Sequence, residues 1–402
     1  MLTIVGGIYY ESCIQPKWTE YMGSAGRATS IVAKLNTKAK LISYSDATTK
    51  IIYQNKAALE DFEFSGIDVS QSSKFHYMHC LSTPYIEMSQ RPYPPIKVDT
   101  EKVLCFGMID GEAIINCDYG VYDPQNYKCP KHFHQNGSTV KHLAIILNVH
   151  EAKILSGEPK LNGENLIRKL VEQTSAEIVV LKQGPRGALL FYNSTYITIP
   201  SYITNNVWKI GSGDVFASYF ANSWLVHGMN PIDSAYFASK ATALYCNTQT
   251  FPSQTEIEKT SFIPARVSDR VQMGYRPKIY LAGPFFTLSQ HWMIEQARKN
   301  LCSMNLEVFS PLHDVGRGPA DQVVHRDLEG IKNCDVVFAI GDGLDSGTLY
   351  EIGYARALEK PVIFYAENVS EENMKMMRGS SCIISNDYAT SIYRTAWEAI
   401  SI

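Results

Sequence analysis

The 402-residue sequence predicts an α/β protein built as two doubly wound domains, and three observations carry that expectation. Short β-branched apolar runs alternate with stretches of helical periodicity, the pattern of largely parallel sheets covered by helices. The alternation breaks between Thr250 and Arg276, where Thr-Phe-Pro-Ser-Gln-Thr, Phe-Ile-Pro-Ala-Arg and Gly-Tyr-Arg-Pro follow one another, and then it restarts. The length also exceeds the ~250–300 residues at which a single hydrophobic core stops growing. The expected division is residues 1–265, a linker over 266–276, and residues 277–402.

In the first domain Leu2–Val5, Ala39–Ser43, Val103–Gly107, Leu143–Leu147 and Ile178–Lys182 are short apolar runs and read as buried strands. Helical patterns follow over Ala28–Leu35, after a Gly-Ser-Ala-Gly turn, and over Ala217–His227, after Gly-Ser-Gly-Asp. Ile51–Pro95 is richer in aromatic and polar residues and suits a small lid or β-excursion. After the linker the spacing predicts strands at Lys278–Leu281, Glu307–Ser310, Val336–Ile340 and Pro361–Tyr365, and helices over Ser289–Met304 and Thr348–Leu358. That set makes a complete small domain of flavodoxin or Rossmann type.

A formal net charge of −3 gives no reason to expect nucleic acid or an anionic membrane as partner, so small molecules are the expected ligands. Nine cysteines without paired CxxC spacing, and an N-terminus that reads as a strand entering a turn, fit a reducing cytoplasm. No apolar run approaches the ~20 residues of a membrane span. Cys129, His132 and His134 raise the question of a metal, but they lack a second ligand pair at zinc-finger spacing and read as a polar loop.

Glu351 is the residue that points most directly to chemistry. It follows Asp345 by six positions in Asp345-Ser-Gly-Thr-Leu-Tyr-Glu, at the start of a predicted helix, where the macrodipole favours an ionised carboxylate. The same letters also spell a capping box, with Thr348 as cap and Glu351 reaching back to it.

From Lys278 onward the chain resembles the nucleoside 2-deoxyribosyltransferase family. The matching elements are Ile279-Tyr-Leu-Ala-Gly-Pro-Phe-Phe, Arg326-Asp-Leu-Glu-Gly-Ile before Asn333-Cys-Asp-Val-Val, and Asp345-Ser-Gly-Thr-Leu-Tyr-Glu-Ile-Gly-Tyr-Ala followed by Lys360-Pro-Val. The resemblance implies that Glu351 is the nucleophile at the anomeric carbon, Tyr280 the hydroxyl that orients it, and Asp327 the acid/base for the nucleobase. It also implies that Asp345 and Gly283 bind substrate and that Asn373 reaches a neighbouring subunit's sugar, hence a homo-oligomer. No cofactor is expected there. N-glycosidic cleavage passes through an oxocarbenium-like state, so one carboxylate must face the sugar carbon while an acid protonates the departing base. Asp335 reads as a strand-entry residue, and His313 and His325 as loop histidines that could line the site.

In the first domain Gly211-Ser-Gly-Asp214 places a glycine-rich turn at a helix start, where Gly211, Ser212 and Gly213 can cradle phosphate and Asp214 can accept the proton of an attacking hydroxyl. With Asn148-Val-His-Glu151, Val5-Gly-Gly, Gly23-Ser-Ala, Tyr122-Asp-Pro and Lys182-Gln-Gly-Pro-Arg-Gly-Ala, it resembles the ribokinase-like (PfkB-type) sugar and nucleoside kinases. That resemblance implies ATP and Mg²⁺ as cofactors, Asn148 and Glu151 organising the cation and phosphate, and Glu11 in place of a sugar-binding Asp. Two departures stand out: Trp208-Lys209 replaces the family's Asp-Thr, and Gly26-Arg27 stands where an Asn often follows. The expectation is a bifunctional enzyme acting on nucleosides, nucleobases or pentoses. Its alternative is a non-catalytic nucleoside- or nucleotide-binding sensor joined to an N-glycosidase that hydrolyses nucleosides or their monophosphates.

Overall fold

A computed structural model describes residues 1–88, 93–126 and 129–402. The chain divides into two compact units, one of Met1–Thr204 with Trp208–Ile263, the other of Asn205–Val207 with Pro264–Ile402.

The first unit is organised on a nine-stranded sheet. Across it run Thr195–Ile199, Ala188–Tyr192, Ile178–Lys182, Thr139–Asn148, Ala113–Asp123, Ile96–Phe106, Leu2–Val5, Ala39–Ser45 and Glu63–Asp68. Ala188–Tyr192 runs antiparallel to both its neighbours, and the remaining pairings are parallel. Leu2, Ile4, Val179, Val180 and Leu181 are fully buried, as expected of parallel strands covered on both faces.

The excursion is narrower than Ile51–Pro95. Ala47–Glu60 is a helix whose cap, Asp46, accepts from the Thr49 N–H, and Glu63–Asp68 joins the main sheet. Only Thr49 and Tyr53 of that helix are buried, so its composition gave little apolar periodicity to read. Lys74–His79 and Tyr85–Glu87 pair instead with Tyr10–Gln15 and Trp18–Tyr21 in a separate four-stranded sheet. Residues 89–92 of the expected excursion lie outside the described residues.

Two helices begin earlier than periodicity suggests. Gly23–Lys34 includes the Gly-Ser-Ala-Gly stretch, and Ser212–Ala221 begins directly after Gly211 before widening into a π turn over Asn222–Val226. Gly211 has φ 76°, a left-handed conformation that costs a glycine little and starts the helix abruptly. The stretch expected as linker also carries structure. Gln254–Lys259 is a short helix with a Ser253–Glu256 capping box, and Asp269–Gln272 forms a further turn.

The second unit is a five-stranded parallel sheet in the order Glu307–Phe309, Lys278–Ala282, Val336–Ile340, Val362–Tyr365, Ile383–Ser385. This is the flavodoxin-like order, whose switch point lies between the first strand in sequence, Lys278–Ala282, and the third, Val336–Ile340. Helices Leu288–Ser303 and Tyr388–Ser401 pack together, as do Ala320–Asn333 and Ser346–Ala357. Asp335 holds the sheet's entry edge: its carboxylate accepts from the Lys278 N–H and Tyr275 hydroxyl at 2.7 Å each, and Arg270 pairs with it at 3.2 Å. Among the described residues no helix is long and apolar enough to cross a membrane.

Candidate active sites

In the second unit the switch point brings Tyr280 and Glu351 together. Tyr280 lies fully buried on the first strand, and its hydroxyl donates to Glu351 Oε1 at 2.6 Å. Glu351 sits in the second turn of Ser346–Ala357 and takes no part in capping, which corrects both the first-turn placement and the capping-box alternative. The cap is Asp345, whose Oδ2 accepts from the Thr348 N–H at 2.9 Å and the Thr348 hydroxyl at 3.0 Å. An Asp three residues ahead of Thr348 takes the position that Thr348 would otherwise fill.

The electrostatics also differ from a dipole-stabilised carboxylate, because the macrodipole fades beyond the first turn. Desolvation pushes the Glu351 carboxyl up to about 7; the Tyr280 hydrogen bond pulls the other way, while the charges of Asp327 and Asp345 add to the rise. Burial likewise raises Asp327, opposed by Arg326, and its Oδ1 is buried without a hydrogen-bond partner. Among the described residues none of Glu351, Asp327 and Asp345 belongs to an ion pair. Glu351 thus feels two neighbouring carboxylates and has no ion-paired cation of its own among the described residues.

Phe309 supports this group and was not singled out by its sequence. It lies beside Tyr280 in the parallel register and stacks on it with ring centroids 5.5 Å apart. On its other side a Cβ at Gly330 would fall 2.6 Å from the Phe309 ring, so helix Ala320–Asn333, which carries Asp327, can approach only with glycine there. Gly283 follows the first strand, where a Cβ would come within 3.1 Å of Ile294 and Ile340. Asn373 is exposed on a turn, its N–H donating to Ser370 Oγ, and is not part of the carboxylate group. His313 is bonded to Ser310 Oγ and Glu295, and His325 is exposed.

In the first unit a cavity of ≈ 990 Å³ is walled by Tyr9, Phe75, Tyr77 and Tyr85, with Glu11, Asp123, Glu151, Lys182, Gly211 and Asp214 among its polar lining. Asp214 stands in the first turn of Ser212–Ala221 and is buried. Its Oδ2 accepts from Arg27 at 2.5 Å and its Oδ1 from Gln125. The second guanidinium nitrogen of Arg27 donates to Glu11 Oε2 at 2.7 Å, and that oxygen also accepts from the Gly23 N–H. Arg27 is 1% exposed, so one buried cation holds two buried carboxylates. Burial raises the Glu11 carboxyl despite the pull of Arg27.

Lys182 pairs with the fully buried Asp123 at 2.7 Å, and burial raises the Asp123 carboxyl against the pull of that lysine. Trp208 is buried edge-on to Trp18, while Lys209 Nζ donates to Ser212 Oγ at 2.6 Å. Asn148 and Glu151 form a reciprocal capping box, with Glu151 Oε2 accepting from the Asn148 N–H at 2.9 Å.

Glu151 Oε2 is engaged in its cap and Asp214 by Arg27 and Gln125, but Lys182 takes only Asp123 Oδ2. The buried Asp123 Oδ1 has no hydrogen-bond partner and would be the carboxylate oxygen left for a Mg²⁺ ion held mainly by phosphates and water. Among the described residues no three His, Cys, Asp or Glu groups are placed to hold a metal. His134 of the Cys129–His134 loop is bonded through Nδ1 to the Ser138 carbonyl.

Comparison with known proteins gives two families. Residues 117–252 match the pfkB family carbohydrate kinases, and residues 279–382 match the nucleoside 2-deoxyribosyltransferases. An uncharacterized protein of Ureaplasma parvum is 33% identical over a match spanning 22% of this chain and 66% of that protein. Among solved structures, a Burkholderia thailandensis nucleoside kinase in complex with inosine aligns at 14% identity, covering 64% of this chain and 94% of its own, with a TM-score of 0.47. A Thermotoga maritima ribokinase aligns at 15% identity over 64% and 98%, with a TM-score of 0.42. The chain therefore carries a segment that matches the pfkB family carbohydrate kinases ahead of one that matches the nucleoside 2-deoxyribosyltransferases.

Proposed function

We propose that the C-terminal unit cleaves or exchanges the N-glycosidic bond of (deoxy)nucleosides through a covalent glycosyl-Glu351 intermediate. The observation that carries this reading is the 2.6 Å hydrogen bond from Tyr280 to a desolvated Glu351 with no paired cation. In the first step a Glu351 carboxylate oxygen bonds to the anomeric carbon as the carbon–nitrogen bond breaks. The electron pair leaves with the base, which takes a proton from Asp327, whose raised carboxyl suits a proton donor. In the second step an acceptor base attacks the anomeric carbon, its proton returns to the Asp327 carboxylate and the Glu351 carboxylate departs; water in its place gives hydrolysis. Asp345 presents the remaining carboxylate to sugar hydroxyls, and Asn373 would serve a neighbouring copy. Product analysis of mixed nucleosides and bases tests this reading. Exchanged nucleosides formed by wild type and not by Glu351→Gln support it, whereas free sugar at a rate unchanged by acceptor base counts against transfer.

For the N-terminal unit we propose a nucleoside or pentose site facing a nucleotide-binding turn at Gly211–Gly213, with ATP as phosphoryl donor and Asp214 taking the acceptor's proton. One observation favours the second reading, ligand binding without phosphorylation: both Asp214 oxygens are already engaged, by Arg27 and by Gln125. ADP release over a panel of nucleosides and pentoses separates the two. Turnover abolished by Asp214→Asn removes the binding-only reading.

A further inference from the structure

Asp327 owes its place to packing. Its Oδ1 is buried with no hydrogen-bond partner, so the carboxylate stands where helix Ala320–Asn333 puts it. Ile331, buried, and Leu328, partly buried, join that helix to the core of the C-terminal unit. Gly330 follows Asp327 by three residues and so lies on nearly the same side of the helix. A Cβ at Gly330 would fall 2.6 Å from one carbon of the Phe309 ring and 2.9 Å from two others, inside the distance at which carbon atoms touch.

The same ring lies against Tyr280, its neighbour in the parallel register, with centroids 5.5 Å apart and planes 19° from parallel. Phe309 therefore touches both the strand that carries Tyr280 and the helix that carries Asp327. Having no polar atom, it contributes spacing. Tyr280 is fully buried and is joined to Glu351 by its own hydroxyl, whereas Asp327 Oδ1 has no such bond. The spacing thus bears chiefly on Asp327.

We propose that Phe309 and Gly330 form a spacer that fixes where Asp327 stands relative to Glu351, and through it how well the departing base is protonated. Phe309 is a positioning residue and acts through the helix of Asp327. Removing its ring lets that helix settle toward the sheet, and a methyl group at Gly330 forces it away; either change displaces the acid from the leaving nitrogen. The inference rests on the glycosyl-transfer reading of the C-terminal unit and deepens it.

Single-turnover cleavage by the full chain, with the four 2′-deoxynucleosides and their 5′-monophosphates as probes, tests this directly. On the probe that wild type cleaves fastest, Phe309→Leu and Gly330→Ala should each lose at least about tenfold, with folding confirmed by circular dichroism. In an Asp327→Asn background the further loss from Phe309→Leu should shrink to within about threefold, because the acid it positions is already gone. Combining Phe309→Leu with Gly330→Ala should recover part of the Gly330→Ala loss, since the smaller side chain admits the new methyl. If Phe309→Leu does not fold, Phe309→Met, which keeps bulk without the ring, supplies the same cycle. A wild-type rate in Phe309→Leu, or an equal loss with and without Asp327, overturns the spacer while leaving the glycosyl-transfer reading intact. Cleavage of none of the probes by wild type overturns that reading and the spacer with it.

Discussion

The two units treat buried carboxylates in opposite ways. In the N-terminal unit Asp214, Glu11 and Asp123 are each paired with a cation, and the buried Arg27 alone serves two of them. In the C-terminal unit Glu351, Asp327 and Asp345 stand together with no ion pair among the described residues, and Glu351 has only a tyrosine hydroxyl for support. Pairing makes a carboxylate structurally secure and chemically quiet. Leaving it unpaired in a desolvated place raises its free energy when ionised, which is what a nucleophile that will lose its charge on bonding to carbon requires.

The sharpest way to break this contrast is to neutralise Glu351. Glu351→Gln should reduce glycosyl cleavage by at least about a thousandfold, as for loss of a covalent nucleophile. The loss should appear in single-turnover product formation with the fold intact by circular dichroism.

The converse change in the other unit should act on stability. Arg27→Ala strands two buried carboxylates and should lower unfolding free energy by about 3–5 kcal/mol in urea titrations. A loss near zero would show that the N-terminal carboxylates do not depend on their cation.

The pH dependence sharpens the comparison further. With the Glu351 carboxyl raised to about 7, cleavage should fall about tenfold per pH unit on the acid side of that value, as the nucleophile protonates. The linkage has a definite sign: the folded state binds this proton more tightly than the unfolded state. The associated stability is therefore fully present below the ordinary glutamate value and is lost as pH rises through about 7. Glu351→Gln should accordingly be at least as stable as wild type at pH ~8, and that relative gain should vanish toward pH ~4. An acid limb centred near pH ~4.3, the ordinary glutamate value, would contradict the desolvated site.

The smallest effect belongs to Asp345. Because it caps Ser346–Ala357, Asp345→Ala should cost about 1 kcal/mol of stability. Asp345→Asn keeps a capping oxygen, so any loss of sugar affinity in that variant reports substrate contact rather than helix stability.

Much of the fold was legible because buried parallel strands announce themselves as continuous apolar runs. Ile178–Lys182 and Val336–Ile340 form as expected, residue for residue. Helix starts were less legible: the left-handed Gly211 lets a helix begin before any apolar periodicity is visible. At the C-terminal site, Tyr280 and Glu351 are 71 positions apart, and their pairing was suggested by family resemblance, not spacing. The capping-box alternative failed on one residue, since Asp345-Ser-Gly-Thr348 is itself a capping sequence. Arg27 was visible only as a departure from a pattern. Its partners lie 16 and 187 residues away, and no local motif encodes such a pair.

The central claim is that Glu351 becomes covalently bonded to sugar. Intact-protein and peptide mass spectrometry after rapid quench with a deoxynucleoside, in the absence of acceptor base, tests it most directly. A glycosyl adduct on the peptide containing Glu351, discharged by adding a free base and absent from Glu351→Gln, is the predicted result. Sugar release or base exchange with no adduct, persisting in Glu351→Gln, would contradict it.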